Sequence, residues 1–126
     1  MSLQLNAVLI GVQDLKRSKE FYGSGLGLTV EKDYPNYVSF KTGSLEFGLY
    51  PWATLAADAG VPPEGSGFSG VTLHHVVSSA QDVDEVMAQA ERAGAKVVKA
   101  AHKTQWGYFG YFSDLDGHLW KVASGS

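Results

Sequence analysis

Apolar residues come in two rhythms along this chain, and their order of appearance occurs twice. "NAVLIGV" at 6–12 is almost wholly apolar and reads as a buried strand. Asp14 then caps a short helix over 15–22, in which Leu15, Phe21 and Tyr22 recur at helical spacing. Gly23, Gly25 and Gly27 end it. Strands are predicted over about 28–32, 37–41 and 44–50, with "DYPN" and "KTGS" as the turns between them. "YPWATLAADAG" makes one short helix that Gly60 closes, and the proline- and glycine-rich "VPPEGSGFSG" (61–70) reads as a linker.

The sequence of elements then starts again. "VTLHHVV" (71–77) is a strand, followed by an amphipathic helix in "SSAQDVDEVMAQAERAG" that places Val83, Val86, Met87 and Ala90 on one face and stops at Gly94. Strands at about 96–100, 107–112 and 118–123 complete the second half. Local matches support a duplication: "DLKRSKEFY" aligns with "DVDEVMAQA", and "TGSLEF" with "DGHLWK". The expected fold is α+β, two βαβββ modules at about 1–60 and 71–126 within one domain spanning 1–126.

Composition narrows the function. A chain of 126 residues with 44% hydrophobic residues can bury a core, and 18% charged residues is ordinary for a globular protein. There is no cysteine, so neither a disulfide framework nor a thiolate ligand is available, and a cytoplasmic setting is expected. A net charge of -3 argues against nucleic acid as a partner, and no apolar run is long enough to cross a membrane. The glycine clusters "GSGLG" and "GSGFSG" do not link a strand to a helix as a dinucleotide site requires. Asp114 and Asp116 of "DLDG" accept turn N–H groups and carry no catalytic role.

"AVLIGVQDLKRSKEFYGSGLGL", "GVTLHHVVSSAQDVDEVMAQAERAGA" and "WGYFGYFSDLDGHLWKVA" together resemble the vicinal oxygen chelate superfamily. Its members include glyoxalases, extradiol dioxygenases, fosfomycin-resistance enzymes and bleomycin-resistance proteins. The resemblance implies a mixed sheet cupped around one site, and usually a homodimer. It also implies four metal-ligand positions, on the first and last strand of each module. Counted from the capping aspartates and the turn glycines, these fall at Ala7, His75, Phe47 and Lys121. Only His75 of the four is a ligand, and an ammonium at Lys121 repels a cation. No metal and no other cofactor is expected.

The same positions suggest what the site does instead. With strand alternation, His75 faces the site and His74 the opposite side, while Glu46 points away from Phe47. Phe47, Trp52 and Trp106 are the expected apolar wall, with His75 and Lys121 as its polar contacts. The implied function is binding of a small molecule, neutral or anionic because of Lys121. The alternative is a lyase, isomerase or dioxygenase related to glyoxalase. It would use an unusual metal set, or His75 and Lys121 as an acid–base pair.

Overall fold

The computed structural model describes residues 5–59, 61–65, 67–69, 71–105 and 107–125. The chain divides into two compact units, Met1–Gly65 and Ser66–Ser126, and the division falls inside the 61–70 segment. Gly60, expected to close a helix, lies outside the described residues.

In the first unit β1 (Ala7–Val12) leads to α1 (Leu15–Glu20), then β2 (Thr29–Tyr34), β3 (Tyr37–Thr42), β4 (Leu45–Pro51) and α2 (Trp52–Ala59). The sheet order is β1-β4-β3-β2, with β1 parallel to β4 and the other pairs antiparallel. Asp14 caps α1 as expected, its carboxylate accepting the Arg17 N–H. The helix ends two residues early and continues as a π-helical turn, Phe21–Gly25. That turn drops Phe21 and Tyr22 into the core against Phe40 and Phe47. Val38, Phe40, Phe47 and Leu49 complete this helix-side core.

The second unit repeats the plan: β5 (Thr72–Val76), α3 (Ala80–Ala93), β6 (Lys96–Thr104), β7 (Gly107–Ser113) and β8 (Leu119–Ser124). Its order, β5-β8-β7-β6 with β5 parallel to β8, is that of the first sheet. The two βαβββ modules of the expected α+β fold are therefore present. On α3, Val83, Met87 and Ala90 are buried as the helical pattern requires. They cover a sheet face that carries Phe112 stacked on Trp120 and the fully buried Val122. Gly94 ends α3 at φ 113°, a conformation that favours glycine.

The "DLDG" turn is built mainly on its first aspartate. Asp114 is buried, and its Oδ1 accepts the N–H groups of Asp116 and His118 at 2.9 and 2.8 Å. Gly117 turns the chain at φ 90°. Asp114→Ala would leave two N–H groups without their acceptor. It should lower stability by about 1–3 kcal/mol in chemical denaturation.

Candidate functional site

Each sheet has one face under its helix and a second, far face. The strand register decides which residues share the latter. In the second sheet Tyr108 lies on the helix side, because its hydroxyl donates to Asp84 of α3 at 2.7 Å. Its ladder neighbours alternate from there. Trp120, Val122 and Phe112 face the helix, while Lys121, Tyr111 and Phe109 face away. Lys121 pairs directly with His74, and His75 pairs with Val122. The residue beside Lys121 is thus His74, and His75 sits on the helix-side face of an edge strand, where it is exposed. The expectation had these two reversed. Its count started from Asp82, but the cap of α3 is Ser79, whose side chain accepts the Asp82 N–H.

Two irregularities in β6 complete this face. The register shifts between Val97 and Lys99, and again between Lys99 and His102. Strict alternation would send Lys99 and His102 to opposite sides. The bulge turns both toward the far face, opposite Tyr111 and Phe109. Phe109 becomes the hub. Lys121 Nζ stands 4.3 Å from its ring centroid, Lys99 Nζ 5.9 Å, and the His102 ring 4.9 Å, edge to face. Tyr111 meets the same ring edge-on at 6.1 Å. His74 Nε2 lies 2.9 Å from Thr72 Oγ1 on the same face.

The electrostatics of this face are one-sided. None of the strands β5 to β8 contains an aspartate or glutamate. Among the described residues, neither Lys99 nor Lys121 has a carboxylate within ion-pair distance, unlike Lys19 with Asp33 and Lys32 with Glu46. A chain of net charge -3 thus carries a concentrated positive face.

The first sheet's far face differs in chemistry. Glu46 belongs to it, paired with Ala7, whereas Phe47 is buried on the helix side with its ring edge-on to Tyr22. Hairpin length explains the one-residue slip from the counted position. Thr42 pairs with Leu45 across a two-residue turn, but Ser113 pairs with Leu119 across five residues. The same offset from a turn glycine therefore lands on opposite faces. The Tyr37 hydroxyl donates to one Glu46 oxygen, and Lys32 Nζ lies 3.2 Å from the other. The Tyr37 ring packs against Tyr50 at 4.6 Å. Trp52 lies over Gly11 on this face, where a Cβ would stand 3.3 Å from its ring, and its Nε1–H donates to the Pro63 carbonyl. Trp106 lies outside the described residues.

Burial and the Glu46 carboxylate push the Tyr37 phenol up to about 12. The bonds from Tyr37 and Lys32 hold Glu46 below the usual carboxylate range. The two shifts have opposite linkage. Stability from the neutral phenol is complete below pH ~10 and is lost as the pH climbs to about 12. Stability from the carboxylate is present near neutrality and is lost in acid, as the pH falls through its lowered pKa. A spectrophotometric titration should show a tyrosine ionising near pH 12, and Tyr37→Phe should remove that step.

The Glyoxalase/Bleomycin resistance protein/Dioxygenase superfamily model matches residues 4–122. The chain belongs to this superfamily. It is 30% identical over 130 residues to the glutathione transferase FosA of Serratia marcescens, covering 100% of this chain and 84% of that one. A crystal structure of a glyoxalase-related enzyme from Fulvimarina pelagi superposes with a TM-score of 0.88 at 27% identity, over 96% of this chain and 87% of the other. Lactoylglutathione lyase from Agrobacterium tumefaciens shares the fold, with a TM-score of 0.73 at 22% identity over 97% and 93% of the two chains. No helix among the described residues of this superfamily member is long and apolar enough to cross a membrane.

The residues do not fit the divalent metal that the superfamily resemblance implies. By register, the far-face positions on the first and last strands are Ala7 with Glu46, and His74 with Lys121. Each module offers one donor. Ala7 has none, Lys121 is cationic, and both Glu46 oxygens are engaged. Among the described residues no three His, Cys, Asp or Glu side chains are placed to hold an ion. A site with an open position requires at least three protein donors.

Proposed function

We propose that this superfamily member binds a small anionic molecule on the far face of its second module, without a divalent metal. The carrying observation is that Lys121 and Lys99 both lie over Phe109 with no carboxylate within ion-pair distance among the described residues. Charged groups on an apolar floor attract an anion more strongly than they would in open water. His74, beside Lys121, supplies a hydrogen bond whose sense can follow the ligand. Tyr111 and Phe109 supply the apolar contact that the tryptophans were expected to give.

A second reading is favoured by the direct pairing of His74 with Lys121. A substrate anion held by the lysine would lie within reach of a histidine able to move a proton, which is the arrangement of a metal-free lyase or isomerase. A Lys121 ammonium seated on a ring face serves as a cation, so binding is the better supported of the two.

The test is equilibrium binding of inorganic phosphate and of glutathione to chelator-treated protein. Glutathione is the second probe because the Serratia relative is named for its transfer. Saturable binding that weakens with added salt supports the proposal. Absence of binding by both anions, or binding insensitive to salt, would sink it.

A further inference from the structure

The first module carries a different polar arrangement, which the anion site does not use. Ser39 lies on the far face opposite Gly48, between Tyr37 and Glu46 in the ladder. It is 0% exposed, and its hydroxyl has no hydrogen-bond partner among the described residues. It lies close enough to Tyr37 to influence that phenol, without a bond of good geometry. Buried hydroxyls are normally paired, so one aimed at a polar cluster calls for a reason.

Two side chains, Tyr37 and Leu9, crowd the Gly48 position opposite Ser39. Position 48 has no side chain, and a Cβ there would stand 2.6 Å from Tyr37 Cε1 and 2.7 Å from Leu9 Cδ2. The Tyr37 ring thus fills the space that a side chain at 48 would take. Its polar anchor at the far end is Glu46. The other Glu46 oxygen holds Lys32, which reaches over from the edge strand β2 with its side chain 45% exposed. A long exposed lysine is the easiest of these groups to displace.

We infer that this face is a binding site for a primary ammonium or guanidinium group, with Tyr37 as its movable cover. Swinging Tyr37 off Gly48 uncovers the Ser39 hydroxyl beside the Glu46 carboxylate. The incoming cation takes the place that the Lys32 ammonium holds now. Glu46 supplies the opposite charge, Ser39 accepts an N–H, and the Tyr50 ring offers a π face.

The probes are n-butylammonium and methylguanidinium, with tetramethylammonium as a cation lacking N–H donors. In nuclear magnetic resonance of the whole chain, the first two should shift the Ser39 and Gly48 amide signals saturably, and the third should not. Lys32→Met should tighten binding roughly two- to fivefold, the factor that loss of an exposed competing ion pair provides. Glu46→Gln should abolish it. Ser39→Ala should weaken it roughly tenfold while the melting temperature holds or rises, since an unpaired buried hydroxyl is lost. The inference is overturned if neither the wild type nor Lys32→Met shows saturable shifts at Ser39 and Gly48. It is equally overturned if Ser39→Ala lowers the melting temperature and leaves amine binding unchanged.

Discussion

Lys121→Met should reduce anion affinity about tenfold, and Lys99→Met together with it should bring the loss to roughly a hundredfold. Each substitution removes a charge-assisted hydrogen bond, and tenfold is the lower end of what such a bond contributes. Methionine keeps most of the apolar stem and removes only the ammonium that stands over Phe109. Melting temperature should therefore barely move, which separates a binding role from a structural one. Calorimetric titration with phosphate reads the effect. If the double variant binds phosphate as the wild type does, the anion does not sit on this face.

The largest effect on stability should come from Phe40→Ala. Phe40 is completely buried on the helix side of the first sheet, with the Tyr22 and Phe47 rings each 6.2 Å away and 5.1 Å from one another. Truncating a ring in such a cluster costs about 3–5 kcal/mol, through lost transfer energy and the cavity left behind. That is a large part of the 5–15 kcal/mol that typically separates folded from unfolded domains. The unfolding midpoint in urea should drop accordingly, with fluorescence and circular dichroism reporting the same shift. A loss under about 1 kcal/mol would mean that this cluster is not the packed core described.

How far the sequence could be read depended on whether a feature was local. The apolar run of β1, the stripe on α3 and the aspartate turn before β8 rest on spacing within one segment, and all three are in place. The functional faces rest on pairing between segments. A hairpin two residues long and one five residues long were counted by a single rule, and the slip exchanged Phe47 for Glu46. Taking Asp82 rather than Ser79 as the cap moved the count by three residues, an odd number, and so pointed to the wrong face of β5. The "TGSL" turn, with Gly43 at φ 59°, was short enough to have warned of the first error.

Lys99 and His102 were out of reach for a different reason. Only the bulge in β6 puts both on one side, and nothing in "KVVKAAHKT" marks where that bulge falls. A signal of another kind was present throughout. The strands from 72 to 124 contain lysines and histidines but no acidic residue, in a protein whose net charge is negative. Charge read strand by strand, rather than over the whole chain, would have pointed to this sheet.

The central claim is that the second module's far face binds an anion through its own cations. The most direct measurement is a phosphate titration of chelator-treated, isotope-labelled protein, followed residue by residue by nuclear magnetic resonance. The account predicts saturable shifts at Lys99, His102, Phe109, Tyr111 and Lys121, unchanged when zinc or nickel is added. Binding that appears only after a divalent metal is supplied, or shifts that leave these five residues untouched, would contradict it.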